Sequence, residues 1–317
     1  MKRCFLYPGQ GAQYPGMARD LWEQSDAVKR LFDTASTAAG FDCRRALFES
    51  SEEQLKSTDV AQVAIVLASK AASAVLGERG VVADGCAGFS LGEYTALSDA
   101  GVIADVDLFA IVSARGAIME RCSRSQDTPA GPSGMAAVVG LELPEVQRIL
   151  ASLGNEDPSL RLYPGLHNAP TQIVVSGTAE ALEAGRQAFE DAGAANYVVL
   201  KTSGPFHCPL MQSARDDLAA ELEGYRFSDP RKPVYSNVTG AAIASGEEAK
   251  RLCAEQLVST VRWVDVESKV LGDGYEQLLE VGPGKVLSGL LKRYSREQKV
   301  EQAGTLEQIS SLQGARS

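Results

Sequence analysis

The pentapeptide Gly88-Phe89-Ser90-Leu91-Gly92 follows the small apolar run Asp84-Gly85-Cys86-Ala87 and leads into a helix-permissive segment. A G-x-S-x-G sequence in that setting calls for a strand that turns sharply into a helix. The serine stands at the tip, and the glycines sit where the backbone doubles back without room for a Cβ. The helix beginning at Leu91 points unpaired N–H groups toward the serine hydroxyl, which suits a developing oxyanion. The same five residues also fit an ordinary turn, so the rest of the chain has to decide.

The surrounding pattern is α/β. Short apolar runs such as Cys4-Phe5-Leu6-Tyr7 alternate with helix-length segments at 58–76 and 105–122. In the first of these Val60, Val63, Ala64, Leu67, Ala71, Ala74 and Val75 recur at helical spacing, while Gln62 and Lys70 make a poor membrane span; a core helix is expected. Residues 125–133 have linker composition. Beyond them the pattern reads strand (135–139), helix (143–153), strand (160–166), strand (172–176), helix (179–192), strand (197–200). This β-α-β-β-α-β order is ferredoxin-like. The fold expected is therefore a large α/β domain (1–128 and 201–317) with a mostly parallel sheet and a small ferredoxin-like domain (129–200) inserted in it. A cleft between the two is a natural place for a site. The residues from Leu312 onward read as a frayed tail.

A chain of 317 residues, 44% hydrophobic, can bury a large core. Pro8 and Gly9 interrupt the first apolar run before a signal-peptide core develops, so a cytoplasmic protein with no membrane span is expected. Six cysteines lie far apart without CxxC spacing, which predicts reduced, mostly buried thiols. A net charge of −10 argues against nonspecific nucleic-acid binding. No histidine–cysteine cluster has metal-ligand spacing, so neither a metal nor an organic cofactor is expected.

A serine nucleophile needs a base, and the chain has only two histidines, His167 and His207. His207 lies in Ser203-Gly204-Pro205-Phe206-His207-Cys208-Pro209, where the small domain returns the chain to the large one, and a histidine there would face the cleft. His167 falls in an expected turn of the small domain, where a surface or structural role fits better. Spacing nominates no Asp or Glu to orient the base, so a backbone carbonyl stays possible. Pro8-Gly9-Gln10-Gly11-Ala12-Gln13 follows the first strand and could present N–H groups above a parallel sheet; it lacks the G-x-G-x-x-G spacing of a dinucleotide site. Arg115 stands among small and apolar residues and should be partly buried, either in an internal salt bridge or against an anionic ligand.

Together these segments resemble the malonyl-CoA:acyl carrier protein transacylases. The resemblance runs through the Tyr7–Gln13 and Gly88–Tyr94 segments, Arg115-Gly116-Ala117-Ile118-Met119, and Gly204-Pro205-Phe206-His207-Cys208-Pro209-Leu210-Met211. It continues in Ser236-Asn237-Val238-Thr239-Gly240, residues 256–263 and Glu280-Val281-Gly282-Pro283-Gly284. It implies an α/β-hydrolase-like large domain, malonyl-CoA as substrate, acyl carrier protein as acceptor, no cofactor and a monomer. By position, Ser90 would be the acylated nucleophile and His207 its base. The amides of Gln10 and Leu91 would form an oxyanion hole, and Arg115 would hold the malonyl carboxylate. The Gln256 carbonyl would orient His207, and Phe206 would mark the malonyl-using branch. Two positions depart from the family pattern: Phe89 stands where histidine is usual, and Gly204 where alanine is usual. Lys292, Arg293, Arg296 and Lys299, or Arg231 and Lys232, are candidate docking positions for an acidic carrier protein. The same motifs serve polyketide acyltransferases, and a serine hydrolase would share the serine and the base.

Overall fold

The first apolar run forms strand β1 (Arg3–Tyr7), buried along its whole length, as a central strand covered on both faces must be. The computed structural model describes residues 1–314. Strands follow in the order β2 (Gly85–Gly88), β3 (Gly134–Val139), β4 (Leu162–Ala169), β5 (Gln172–Gly177), β6 (Asn196–Val199), β7 (Val234–Tyr235), β8 (Gln277–Glu280) and β9 (Val300–Gln302). They make two sheets. One has the order β7-β2-β1-β8-β9, and its strand pairings are all parallel. The other has the order β4-β5-β3-β6 and is antiparallel throughout.

The second sheet is a continuous stretch of chain between the two halves of the first. One of its faces carries its own apolar cluster, with Val138, Val146, Ile149, Ile173 and Phe189, while Met135, Ala137 and Val174 on the other face join the main core. Strand alternation alone accounts for this two-sided packing. Sheet and body are laced together where His167 N–H donates to the Val261 carbonyl and Val261 N–H to that of Gly165, both at 2.9 Å. Those bonds revise one expectation. His167 lies inside β4 and not in a turn, because the strand runs on to Ala169 through register shifts at Pro164/Leu166 and His167/Ala169.

The apolar segment at 58–76 forms the helix Thr58–Glu78, buried on nearly every side. It is long and apolar enough to cross a membrane, but 78% of its most apolar window is covered by protein, the position of a core helix. Lys70 on it ends 2.7 Å from Asp105. It packs against the helix Asp105–Arg124 at Gly116, where a Cβ would lie 3.0 Å from the Asp59 Cα. The six cysteines are free and buried. At the C-terminus, the helix Leu306–Gly314 continues past the expected start of the tail, with Leu312 buried in the main core; residues 315–317 of that tail lie outside the described residues.

Candidate active site

Ser90 stands between β2 and the helix Gly92–Asp99 with φ 49°, a left-handed conformation that costs a non-glycine residue energy and persists only when its surroundings enforce it. The enforcement begins with absent Cβ atoms. A Cβ on Gly88 would lie 2.0 Å from the Gly92 carbonyl carbon, one on Gly92 2.1 Å from the Tyr7 carbonyl oxygen, and one on Gly9 2.5 Å from the Phe89 oxygen. The end of β1 and the serine turn are thus pressed backbone to backbone. Asn237 completes the grip: its Oδ1 accepts from Ser90 N–H, and its Nδ2 donates to the Gly88 carbonyl at 2.8 Å.

His207 also adopts a left-handed backbone, φ 60°. Its segment is tied to the small sheet, since Ser176 Oγ donates to the Phe206 carbonyl at 2.6 Å. The ring lies with Nε2 2.7 Å from Ser90 Oγ and Nδ1 2.9 Å from the Gln256 carbonyl oxygen. A carbonyl only accepts, so Nδ1 carries the proton and Nε2 offers its lone pair to the serine hydroxyl. Burial, and secondarily the Arg115 charge, lower the His207 pKa to about 4. The resting imidazole is therefore neutral at ordinary pH and ready to accept a proton.

Arg115 is 1% exposed. It donates to two neutral amide oxygens, Gln62 Oε1 at 2.8 Å and Gln256 Oε1 at 3.1 Å, and lies 5.1 Å from the centre of the Tyr94 ring. Its Nε has no partner. The salt-bridge alternative is not met, since no carboxylate among the described residues lies within ion-pair distance of it. A buried cation held only by neutral groups suits an anionic ligand.

These side chains meet at a cleft of about 180 Å³, open at its mouth. Gln10, Gly11, Phe89, Ser90, Arg115, Phe206 and His207 line it, with Leu200 to Ser203 at the crossing from the small sheet. Among the described residues the amide N–H groups of Gln10 and Leu91 donate to no protein acceptor, which leaves them free for a ligand oxygen. Both departures from the family pattern have local reasons. The Phe89 ring packs edge-on against buried Trp263, 5.3 Å between centroids, so an aromatic hydrocarbon fills that position. At Gly204 a Cβ would lie 2.0 Å from Ser123 Oγ, which donates to the Met119 carbonyl; alanine does not fit beside that serine.

Sequence reasoning reached Ser90, His207, Arg115, Gln10, Leu91, Phe206 and Gln256; the fold brings Ser90, His207, Arg115, Gln10 and Phe206 to the lining of one cleft, with Leu91 next along the chain from Ser90 and Gln256 behind it, bonded to His207 and Arg115. It nominated neither Gln62 nor Glu93, and placed Asn237 in a motif without a role. Glu93 is 1% exposed. Its Oε2 accepts from Asn237 N–H at 2.7 Å and from Gln256 Nε2 at 3.1 Å. No group of three or more metal-ligating side chains is found among the described residues.

Comparison with known proteins agrees with this geometry. The acyl transferase domain model matches residues 4–312. The malonyl CoA-acyl carrier protein transacylase of Bacillus subtilis is 37% identical over 298 residues, 94% of this chain and 92% of that protein. An acyl carrier protein S-malonyltransferase from Vibrio cholerae superposes with a TM-score of 0.92 at 34% identity, covering 98% of this chain and 100% of its own. A malonyl-transacylase solved with its type II PKS acyl-carrier protein gives 0.91 at 33% identity, covering 98% of each chain. With a serine and a neutral imidazole bonded to each other at one cleft, and with relatives matched along nearly its full length, the chain is an acyltransferase and belongs to the acyl transferase domain family.

Proposed function

We propose that this enzyme moves the malonyl group of malonyl-CoA to the phosphopantetheine thiol of an acyl carrier protein, supplying fatty acid synthesis. The observation that carries the reading is Arg115: a buried guanidinium lining the same cleft as the serine, held by two amide oxygens and no carboxylate. A malonyl carboxylate would replace neutral acceptors with a charged, bidentate one. An acetyl group would leave the resting amide contacts as they are.

In the mechanism proposed, Ser90 Oγ attacks the thioester carbonyl as its proton passes to His207 Nε2. The N–H groups of Gln10 and Leu91 stabilise the oxyanion, and the CoA thiol leaves with the proton from His207. The carrier thiol then attacks the malonyl-Ser90 ester, His207 serving again, in ping-pong order. No cofactor enters. We read the parallel sheet with residues 1–128 and 201–317 as an α/β-hydrolase-like domain, and residues 129–200 as a ferredoxin-like domain whose order β4-β5-β3-β6 supports that assignment.

The docking candidates separate. Lys232 pairs with Asp99 at 3.2 Å, and Arg231 lines a groove shared with Asp105 and Asp107, carboxylates that would repel an acidic partner. Lys292, Arg293 and Arg296 line an open groove beside Thr171 and Gln172 whose lining holds no carboxylate, which makes them the better candidates for an acidic carrier. The solved complex of a relative with a type II PKS carrier keeps a polyketide role as the second reading. The test is the fate of malonyl from malonyl-CoA with and without phosphopantetheinylated carrier protein. Loss of malonyl mainly to water would favour a hydrolase, and faster transfer to a polyketide carrier than to a fatty acid carrier would favour the second reading.

A further inference from the structure

Ser90 is held from both sides by amides that share one anchor. Asn237 Oδ1 accepts from its N–H, and Gln256 Nε2 donates to its carbonyl at 3.1 Å. Behind them Glu93 Oε2 accepts from the Asn237 backbone N–H at 2.7 Å and from the same Gln256 Nε2 at 3.1 Å. Gln256 is also the residue whose backbone carbonyl holds His207, and its Oε1 accepts from Arg115. An amide can serve all these partners in one orientation only, with nitrogen toward Glu93 and oxygen toward Arg115. We propose that Glu93 is the positioning residue of this site: its Oε2 fixes Asn237 and Gln256, and through them the strained Ser90 backbone and the line from Gln256 to His207.

Ser90 and His207 both occupy left-handed backbone conformations, which relax unless neighbouring bonds hold them. Residues 93, 237 and 256 come from three separate segments, and Glu93 Oε2 is the atom at which the other two meet. Its other oxygen, Oε1, is buried without a partner, so acceptance by Oε2 accounts for its polar contacts. Glu93 touches no reacting atom and acts through its two neighbours. The inference rests on the serine–histidine reading of the site but not on malonyl transfer.

The experiment uses a fluorophosphonate, which needs neither malonyl nor carrier protein. Ser90 Oγ attacks phosphorus, fluoride leaves and the hydroxyl proton passes to His207. The rate constant reports how well the pair is aligned, and the labelled amplitude reports how much protein is folded. Glu93→Met fills the space but accepts no hydrogen bond, and should lower the rate constant at least 30-fold. Glu93→Gln keeps an acceptor oxygen and should recover most of that loss. Glu93→Asp keeps the charge but withdraws the oxygen by one methylene, and should lose at least tenfold; it carries the test if the Met variant does not fold. A merely structural Glu93 would lower the amplitude and leave the rate constant within threefold of wild type in Met and Asp variants, which overturns the proposal. Equal losses in the Gln and Met variants overturn it too, since charge would then matter and acceptance would not. Absence of labelling in the wild type, by contrast, would tell against the serine–histidine reading itself.

Discussion

The Gln256 carbonyl accepts a 2.9 Å hydrogen bond from His207 Nδ1–H, and that bond decides which ring nitrogen faces Ser90. A carboxylate in the same place would fix the same tautomer but would also stabilise the imidazolium. A neutral carbonyl adds no full charge, and burial together with Arg115 keeps the resting ring unprotonated.

The pH dependence follows. His207 titrates at about 4, against 6.5 for a free side chain, so reaction of Ser90 with an uncharged acylating or phosphonylating probe should hold its plateau well below pH 6 and fall only toward pH 4. Arg115→Gln removes one of the two lowering causes and should move the acid limb upward. Rate constants measured between pH 4 and 8 check both; an acid limb centred at 6.5 in the wild type contradicts the first.

Stability and pH are linked through Glu93 in the opposite sense. Burial raises its carboxyl to about 7, offset in part by the Asn237 and Gln256 bonds and the Arg115 charge. A raised folded-state pKa favours the fold most fully below the unfolded value of 4.5, and the contribution is lost as pH rises through 7. Glu93→Gln should therefore gain on wild type across that window, by about 3 kcal/mol at most. Denaturant unfolding at pH 5 and pH 8 reads the difference.

Arg115→Ala should cost malonyl transfer far more than acetyl transfer. A hydrogen bond to a charged group contributes roughly 1.5–3 kcal/mol, so the malonyl-to-acetyl ratio of kcat/KM should drop on the order of 10- to 100-fold. Competition between the two CoA esters measures the ratio directly, and an unchanged ratio would remove Arg115 from its role.

Space at the glycines sets the sign of alanine substitutions. At Gly92 the new Cβ would meet the Tyr7 carbonyl oxygen at 2.1 Å, backbone that cannot swing aside, so Gly92→Ala should destabilise severely or prevent folding. At Gly154, inside the helix Leu143–Glu156, nothing lies within 4 Å. Gly154→Ala should stabilise by about 0.5–1 kcal/mol. Thermal unfolding of the two variants checks the contrast.

How much of this was legible in the sequence depended on the kind of interaction. Ser90 carries a local motif, and two histidines left a short choice of base, so both could be found from the chain. The Gln256 contact is made by a backbone carbonyl, which has no residue signature and came only from family resemblance. Glu93 and Asn237 were out of reach for another reason: their roles exist only where segments 144 residues apart meet. The β-α-β-β-α-β order emerged from periodicity, while the end of β4 did not. His167-Asn168-Ala169-Pro170 has turn composition, but the turn comes only at Pro170, and His167 to Ala169 are held extended by bulged pairing to β5 and by the bond to Val261. Ser123, which excludes alanine at Gly204, sits far off in the chain on the helix Asp105–Arg124 and gave no warning.

The most direct test of the account is the mass of the intact protein after mixing with malonyl-CoA, for wild type and Ser90→Ala, before and after addition of acyl carrier protein. A malonyl increment should appear on the wild type alone and then disappear as the same increment arrives on the carrier. An increment that persists in Ser90→Ala, or transfer to the carrier without any acylated enzyme, would contradict a malonyl-Ser90 intermediate.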